Sequence, residues 1–205
     1  MVSCVIVAGG KSTRMGFDKK FIVLDGVTFL EHTINNAKKF ADEIIIVVGS
    51  NSQRDETRKL TDLKIVVDEK PNMGPIMGVL TGLKHCSNEY AAVMPVDTPL
   101  ASPEVYRYME SESEGMDAVI PVEGEHLEPL HAVYRVKAMR ASCEQTLREG
   151  KKSVYLAARR LKNVRLIPLE KFKEIDEKLL TFRSINTPGQ LEELKNMMES
   201  EKAWM

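Results

Sequence analysis

Short apolar runs separated by longer amphipathic or charged stretches set the rhythm of the chain. Val2 with Cys4 to Val7, Ile44 to Val48, Leu63 to Val67 and Tyr90 to Val96 are each one strand long. They carry little polar alternation, the pattern of strands covered on both faces of a parallel sheet. Between them the polarity is that of helices. Asp25-Gly26 marks a turn, and Thr28 with Glu31 three residues on forms a capping box that predicts a helix to Phe40. Ser52 to Leu60 reads as a polar helix. The segment Pro71-Asn72-Met73-Gly74-Pro75-Ile76-Met77-Gly78 is a loop stiffened by two prolines, and it opens a helix that continues to about His85. Strands alternating with helix-length segments predict an α/β fold with a doubly wound, mostly parallel sheet and right-handed crossovers. In such a sheet ligands bind outside the carboxyl ends of the strands.

The second half continues the alternation less regularly. Ser102 to Ser113 is predicted as a helix and Asp117 to Val122 as a strand. Glu123-Gly124-Glu125 is a turn leading into His131 to Val136, which predicts a short antiparallel hairpin. Val136 to Arg148 reads as a helix stopped at Gly150. Lys151-Lys152-Ser153 opens a helix over Val154 to Leu161, and Asn163 to Pro168 is strand-like. The charged stretch Glu170 to Lys178 reads as a solvated loop or short helix, Leu179 to Ile185 as a last strand, and Pro188 to Glu201 as a final helix. With no repeat, linker or low-complexity tract, residues 1–205 are expected to form one domain.

Composition narrows the function classes. A chain of 205 residues with 43% hydrophobic positions buries a full core. Lys+Arg at 29 against Asp+Glu at 30 leaves a net charge of -1, and only 6% of residues are aromatic, so bulk charge gives no reason to expect nucleic acid or a membrane surface as partner. Cys4, Cys86 and Cys143 are far apart without a C-x-x-C, the usage of reduced thiols. With no basic, apolar leader at the N-terminus and no run long enough to span a membrane, the expected location is the cytoplasm.

The positive charge that matters is local. After the first strand the chain turns at Gly9-Gly10, whose amides can face a ligand, and Lys11, Arg14, Lys19 and Lys20 surround the same loop. That arrangement suits a polyphosphate, although the spacing is neither a P-loop nor G-x-G-x-x-G. Two further strands end on carboxylates, at Asp68 and at Asp97-Thr98-Pro99. An aspartate at a strand terminus beside a polyphosphate suits Mg²⁺, which takes one or two carboxylates plus phosphate oxygens and water, although on the residues alone Asp97 could equally cap the helix after Ser102 or brace a turn. His126 and His131, five apart on a strand or turn, do not have helical zinc spacing. Lys151-Lys152 is a solvated charge pair or, through Lys152, a docking site for a phosphate.

The run Val7-Ala8-Gly9-Gly10-Lys11-Ser12-Thr13-Arg14-Met15-Gly16-Phe17-Asp18-Lys19 resembles the L-A-G-G-x-S-x-R-M-G-x-D-K signature of nucleotidyltransferases, most closely the molybdenum cofactor guanylyltransferases. Gly74-Pro75-Ile76-Met77-Gly78 is similar to the family's G-P-L-x-G loop, Asp68 to its nucleotide-binding aspartate, and Asp97-Thr98-Pro99 to its D-x-P metal motif. Glu128 to Arg135 resembles its x-P-L-x-A-L-Y segment on the acceptor side, and Ile185-Asn186-Thr187-Pro188 its I-N-T-P sequence. Ser184 and Val47 depart from asparagines found in some members. The resemblance implies a Rossmann-like nucleotidyltransferase fold and transfer of GMP from GTP to the terminal phosphate of molybdopterin or its molybdenum-bearing form. Val7, Ala8, Gly9, Gly10, Lys19, Asp68, Gly74, Gly78 and Asp97 would then bind the nucleotide. Arg14, Lys19 and Asp97 would be catalytic, with Asp97 on Mg²⁺, and Pro129, His131, Asn186 and Lys152 would bind the acceptor, which implies nucleotide and metal chemistry in about 1–100 and acceptor binding in about 101–205. Transient proteins that deliver the pterin are compatible with this picture, and no segment identifies one. A cytidylyltransferase, a guanylyltransferase for another phosphorylated acceptor and a non-catalytic nucleotide-binding regulator remain as alternatives.

Overall fold

The computed structural model describes residues 1–9, 18–70 and 72–202. The apolar runs form the strands β1 (Val2–Val7), β4 (Glu43–Val48), β5 (Lys64–Val67) and β6 (Tyr90–Pro95), with β2 (Val23–Leu24) and β3 (Val27–Thr28) as a separate hairpin around the Asp25-Gly26 turn. The later strands are β7 (Ala118–Glu123), β8 (His126–Leu127), β9 (Ala132–Arg135) and β10 (Val164–Pro168). The main sheet has the order β10-β7-β9-β6-β1-β4-β5, with β8 pairing with β7 off that path. Strands β6, β1, β4 and β5 are mutually parallel, with Val7 level with Val47 on one side and Pro95 on the other. Strand β9 runs antiparallel to both β6 and β7. It is therefore the one path strand whose beginning, not its end, lies on the edge where the parallel strands terminate.

Alternating side chains of β1 divide the core. Cys4 and Ile6 pack on the face covered by α1 (Phe29–Ala37), α4 (Pro103–Ser111) and α7 (Leu169–Phe172), whereas Val5 packs on the face covered by α3 (Pro75–Lys84), α5 (Val136–Arg148) and α6 (Val154–Ala158). Helix α2 (Asn51–Thr57) lies against β4 and β5, and α8 (Pro188–Lys202) buries Leu194 beside Leu24, Phe29 and Ile185. The expected capping box is present: Thr28 Oγ1 accepts from Glu31 N at 3.2 Å, and Glu31 Oε2 accepts from Thr28 N at 2.9 Å. Helix α5 has the predicted bounds, with Gly150 immediately after its cap.

Three expectations are corrected. Leu179 to Ile185 is not a strand. Asp176 accepts the N–H groups of Leu180 and Thr181 at 3.0 and 2.8 Å, which winds Leu180–Phe182 into a 3-10 turn after Leu179 at φ 51°. The charged stretch after residue 169 is not wholly solvated, because Phe172 at the end of α7 is fully buried and stacks obliquely on Phe182. The loop before α3 ends earlier than expected, so Gly78 lies within the helix and only Gly74, its N-cap at φ 75°, belongs to the loop.

Candidate active site

The carboxyl ends of β1, β4, β5 and β6 and the beginning of β9 surround an open cavity of about 910 Å³. Two chain crossings make its floor. Ala8 N donates to Val47 O at 2.8 Å and Val96 N to Val7 O at 3.2 Å, so the chain leaving β1 is clamped between its neighbours. There Gly9 and Gly49 meet backbone to backbone. A Cβ on Gly9 would stand 2.8 Å from Gly49 N, and one on Gly49 would stand 2.7 Å from Gly9 O, so neither position has room for a side chain. Gly10, Lys11 and Arg14, on which part of the phosphate expectation rests, lie outside the described residues.

At the centre three residues far apart in sequence converge. Lys19 Nζ donates to Asp97 Oδ2 at 2.8 Å and to Asn186 Oδ1 at 2.6 Å. Both ends of the ion pair are largely shielded from solvent, at 15% and 20% side-chain exposure. The arrangement is built from beneath. Ile185 N donates to Asp97 O at 2.8 Å, and Gln190 Oε1 accepts from Asn186 N at 2.7 Å and from Thr187 N at 3.1 Å at the start of α8. Asn186, expected on the acceptor side, is thus also a direct partner of Lys19.

Its neighbour Lys20 does something different. Expected around the phosphate loop, it is instead completely buried, paired with Asp18 and lying 4.7 Å from the Phe21 ring centroid. The same Asp18 carboxylate accepts from Gln53 Nε2 at 2.7 Å, and Gln53 Oε1 accepts from Gly49 N at 2.8 Å. Gln53 therefore ties the chain before Lys19 to the loop after β4. No motif in the sequence marks it; only its place in the first turn after a strand end could have drawn attention.

Asp68 reaches the cavity from the end of β5, and Asp68 N donates to Val48 O at 2.8 Å. Its Oδ1 is buried without a hydrogen-bond partner among the described residues. Burial pushes the carboxyl up to about 6, so near neutrality it is an ionised acceptor held in a poorly solvated place. Asn72, Gly74, Pro75 and Gly78 continue the wall around it, and Val7, Ala8 and Val47 line it from the sheet.

Glu128, Pro129, Leu130 and His131, just before β9, form the other wall. The His131 ring is buried, with Nδ1 3.2 Å from the Tyr106 hydroxyl and an edge contact to Phe182. Burial pushes it down to about 3, so it is a neutral wall element at physiological pH. Lys152 lies outside this lining. It is exposed, with Nζ 3.2 Å from Asn72 O. Glu128 was visible in the sequence only as the residue before Pro129, and nothing singled it out as a site residue. Among the described residues no group of three or more His, Cys, Asp or Glu could hold a metal ion by itself. A cation here would draw on Asp97 and on oxygens of a bound phosphate.

A mostly parallel sheet with a Lys-Asp-Asn cluster and an open cavity at its carboxyl edge suits a nucleotidyltransferase, the class to which the chain's relatives assign it. The family model of the MobA-like NTP transferase domain matches residues 4–164. A probable molybdenum cofactor guanylyltransferase from Natranaerobius thermophilus is 36% identical over 203 residues, covering 96% of each chain. One from Natronomonas pharaonis is 32% identical over 95% of this chain and 96% of its own. The crystal structure of molybdopterin-guanine dinucleotide biosynthesis protein A from Archaeoglobus fulgidus superposes with a TM-score of 0.84 at 26% identity, covering 97% of this chain and 100% of that one. The chain belongs to the MobA-like NTP transferase family.

Proposed function

We propose that this chain transfers GMP from GTP to the terminal phosphate of molybdopterin or its molybdenum-bearing form, and that it does so in the cytoplasm. The observation that carries the reading is the bridge from Lys19 to Asp97 and Asn186, a cation and a carboxylate held together at the strand ends. In the reaction an acceptor phosphate oxygen attacks the α-phosphorus of GTP, the bond from that phosphorus to the α,β-bridging oxygen breaks, and pyrophosphate leaves with the electron pair. A phosphate monoester has a second pKa of about 6, so the nucleophile is already anionic and needs no general base. This agrees with a site whose one histidine, His131, is buried and neutral.

What remains is alignment and charge neutralisation. Lys19 supplies positive charge to the triphosphate and Val7, Ala8 and Gly9 give it a close backbone floor, a task that the sequence resemblance extends to Gly10 and Arg14. Asp68, Gly74 and Gly78 hold the nucleoside. Asp97 would hold Mg²⁺ together with phosphate oxygens, which fits an all-oxygen donor set with one carboxylate, and the ion would neutralise charge at the reacting phosphates. Pro129, His131 and Asn186 face the acceptor, and Lys152 supplies positive charge at the rim.

The test is pyrophosphate release with GTP, CTP, ATP or UTP and Mg²⁺, with and without molybdopterin. Release that requires both GTP and the pterin is expected. Preference for CTP would overturn the base assignment. Tight GTP binding with no turnover on molybdopterin would overturn the acceptor.

A further inference from the structure

The geometry points to Glu128 as the residue that recognises the acceptor's heterocycle, its carboxylate pairing with the two adjacent N–H donors of a 2-amino-4-oxopyrimidine edge. The inference rests on the proposed reaction for the identity of the acceptor and goes beyond it in naming the group that reads it.

Three observations converge on this residue. First, its position. Strand β5, which ends on Asp68, and β9, which follows Glu128, lie four places apart in the sheet, with β6 and its Asp97 next to β9. At a strand spacing of about 4.8 Å the two ends are separated by roughly 19 Å. A donor nucleotide laid from Asp68 towards Asp97 occupies the β5, β4 and β1 ends. Glu128 then faces whatever lies beyond the transfer point.

Second, its backbone is fixed while its carboxylate is not. Glu128 N donates to Pro121 O at 2.9 Å, His131 N donates to Glu128 O at 3.0 Å, and the Tyr134 hydroxyl donates to Pro129 O at 2.7 Å. The half-buried carboxylate has no hydrogen bond or ion pair to any described residue, with His126 and Glu123 of the neighbouring hairpin as its charged neighbours. Burial pushes its pKa up, the sign of a carboxylate short of solvent and of donors.

Third, its surroundings. Pro129 and Leu130 flank it in the cavity wall with apolar surface suited to a flat ring. A carboxylate is an acceptor with two oxygens, and a planar pair of N–H groups satisfies both at once. Guanine carries such an edge too, but on this placement it lies at the Asp68 end.

The test compares pterin with lumazine, which has a carbonyl in place of the 2-amino group, by fluorescence titration of the full chain with GTP affinity measured alongside. Wild type is expected to prefer pterin by about 10- to 100-fold, the range for hydrogen bonds to a charged group. Glu128→Gln should bring that ratio towards one with GTP affinity unchanged, which also certifies the fold. In turnover it should raise the KM for molybdopterin while leaving the KM for GTP alone. Equal wild-type affinities, no pterin binding, or a preference that survives Glu128→Gln would overturn the proposal. Failure of the reaction has a different signature: Glu128-dependent pterin preference with no pyrophosphate release from GTP and molybdopterin.

Discussion

Gly78 and Gly82 lie one turn apart on the face of α3 that packs on the sheet, and the same substitution should have opposite consequences at the two positions. Replacing glycine by alanine inside a helix favours folding by up to about 1 kcal/mol. At Gly82 the added Cβ would lie 2.2 Å from Val5 Cγ1, 3.0 Å from Val5 Cγ2 and 3.1 Å from Val47 Cγ2. Turning Val5 gives only partial relief, because its two methyls share three staggered positions and at least one of the two facing the helix stays filled, at 3.0 Å if not at 2.2 Å, with Val47 Cγ2 still at 3.1 Å. The helix must lift from β1, at the upper end of the overpacking range, about 3 kcal/mol. The net expectation for Gly82→Ala is a loss of about 2 kcal/mol, a fall in Tm of about 4–8 °C for a domain of this size. At Gly78 the closest contact is 3.2 Å to Val7 Cγ1, which a small shift accommodates, so stability should stay within about 1 kcal/mol of wild type. There, however, the methyl would stand 3.7 Å from Asp68 Oδ1 and cover part of the cavity wall. Thermal unfolding and GTP titration of both variants separate the effects. Gly82→Ala as stable as wild type would refute the packing argument, and undiminished GTP affinity in Gly78→Ala would refute the placement of the nucleoside beside Asp68.

The adjacent lysines give a second contrast. Lys20→Met removes the fully buried partner of an ion pair and should cost about 3 kcal/mol or more in urea unfolding, whereas Lys19→Met, in a pair that keeps some solvent at both ends, should cost less, about 1–2 kcal/mol, and lower turnover by about 10²–10³-fold. Equal stability losses in the two would contradict the assignment. Asp97→Asn should reduce pyrophosphate release by a similar factor while costing no more than about 1–2 kcal/mol of stability, and near-normal turnover with Mg²⁺ would remove Asp97 from the metal site. Asp68 gives a pH dependence whose sign is set by burial. Its folded pKa of about 6 lies above the unfolded value of about 3.9, so between those limits the folded state binds more protons and stability falls as pH rises. Asp68→Asn should therefore match wild type near pH 4, unfold at higher urea at pH 8, and bind GTP more weakly. A variant less stable than wild type at pH 8 would refute the burial argument.

The parts of this molecule written locally were legible. Strands β1, β4, β5 and β6 announced themselves because both faces of each are covered, and the Thr28–Glu31 box and the Gly150 stop mark helix ends through contacts within a few residues. The strand-end rule led directly to Asp68 and Asp97. What the sequence hid depends on partners far along the chain. Lys19 and Lys20 are chemically identical neighbours, and only the fold turns one towards Asp97 and the other into the interior against Asp18. Leu179 to Ile185 has a strand-like composition, but the Asp176 carboxylate captured its N–H groups first. Gln53 and Glu128 matter through Gly49 and Asp18 and through the cavity, none of which a linear motif encodes.

The reversed course of β9 has a consequence for how such an enzyme changes its substrate. Loops at the ends of β1, β4, β5 and β6 are joined to strands whose backbone bonds also clamp the cavity floor, so altering the loops disturbs the floor as well. The segment 124–131 enters the same edge from the opposite direction, pinned by its own bonds to Pro121 and Tyr134. A substitution at its half-buried positions, such as Glu128 or Leu130, reaches the cavity without passing through the clamps at Ala8 and Val96. The wall before β9 is therefore the side of the cavity whose shape is set least by the Gly9–Gly49 floor.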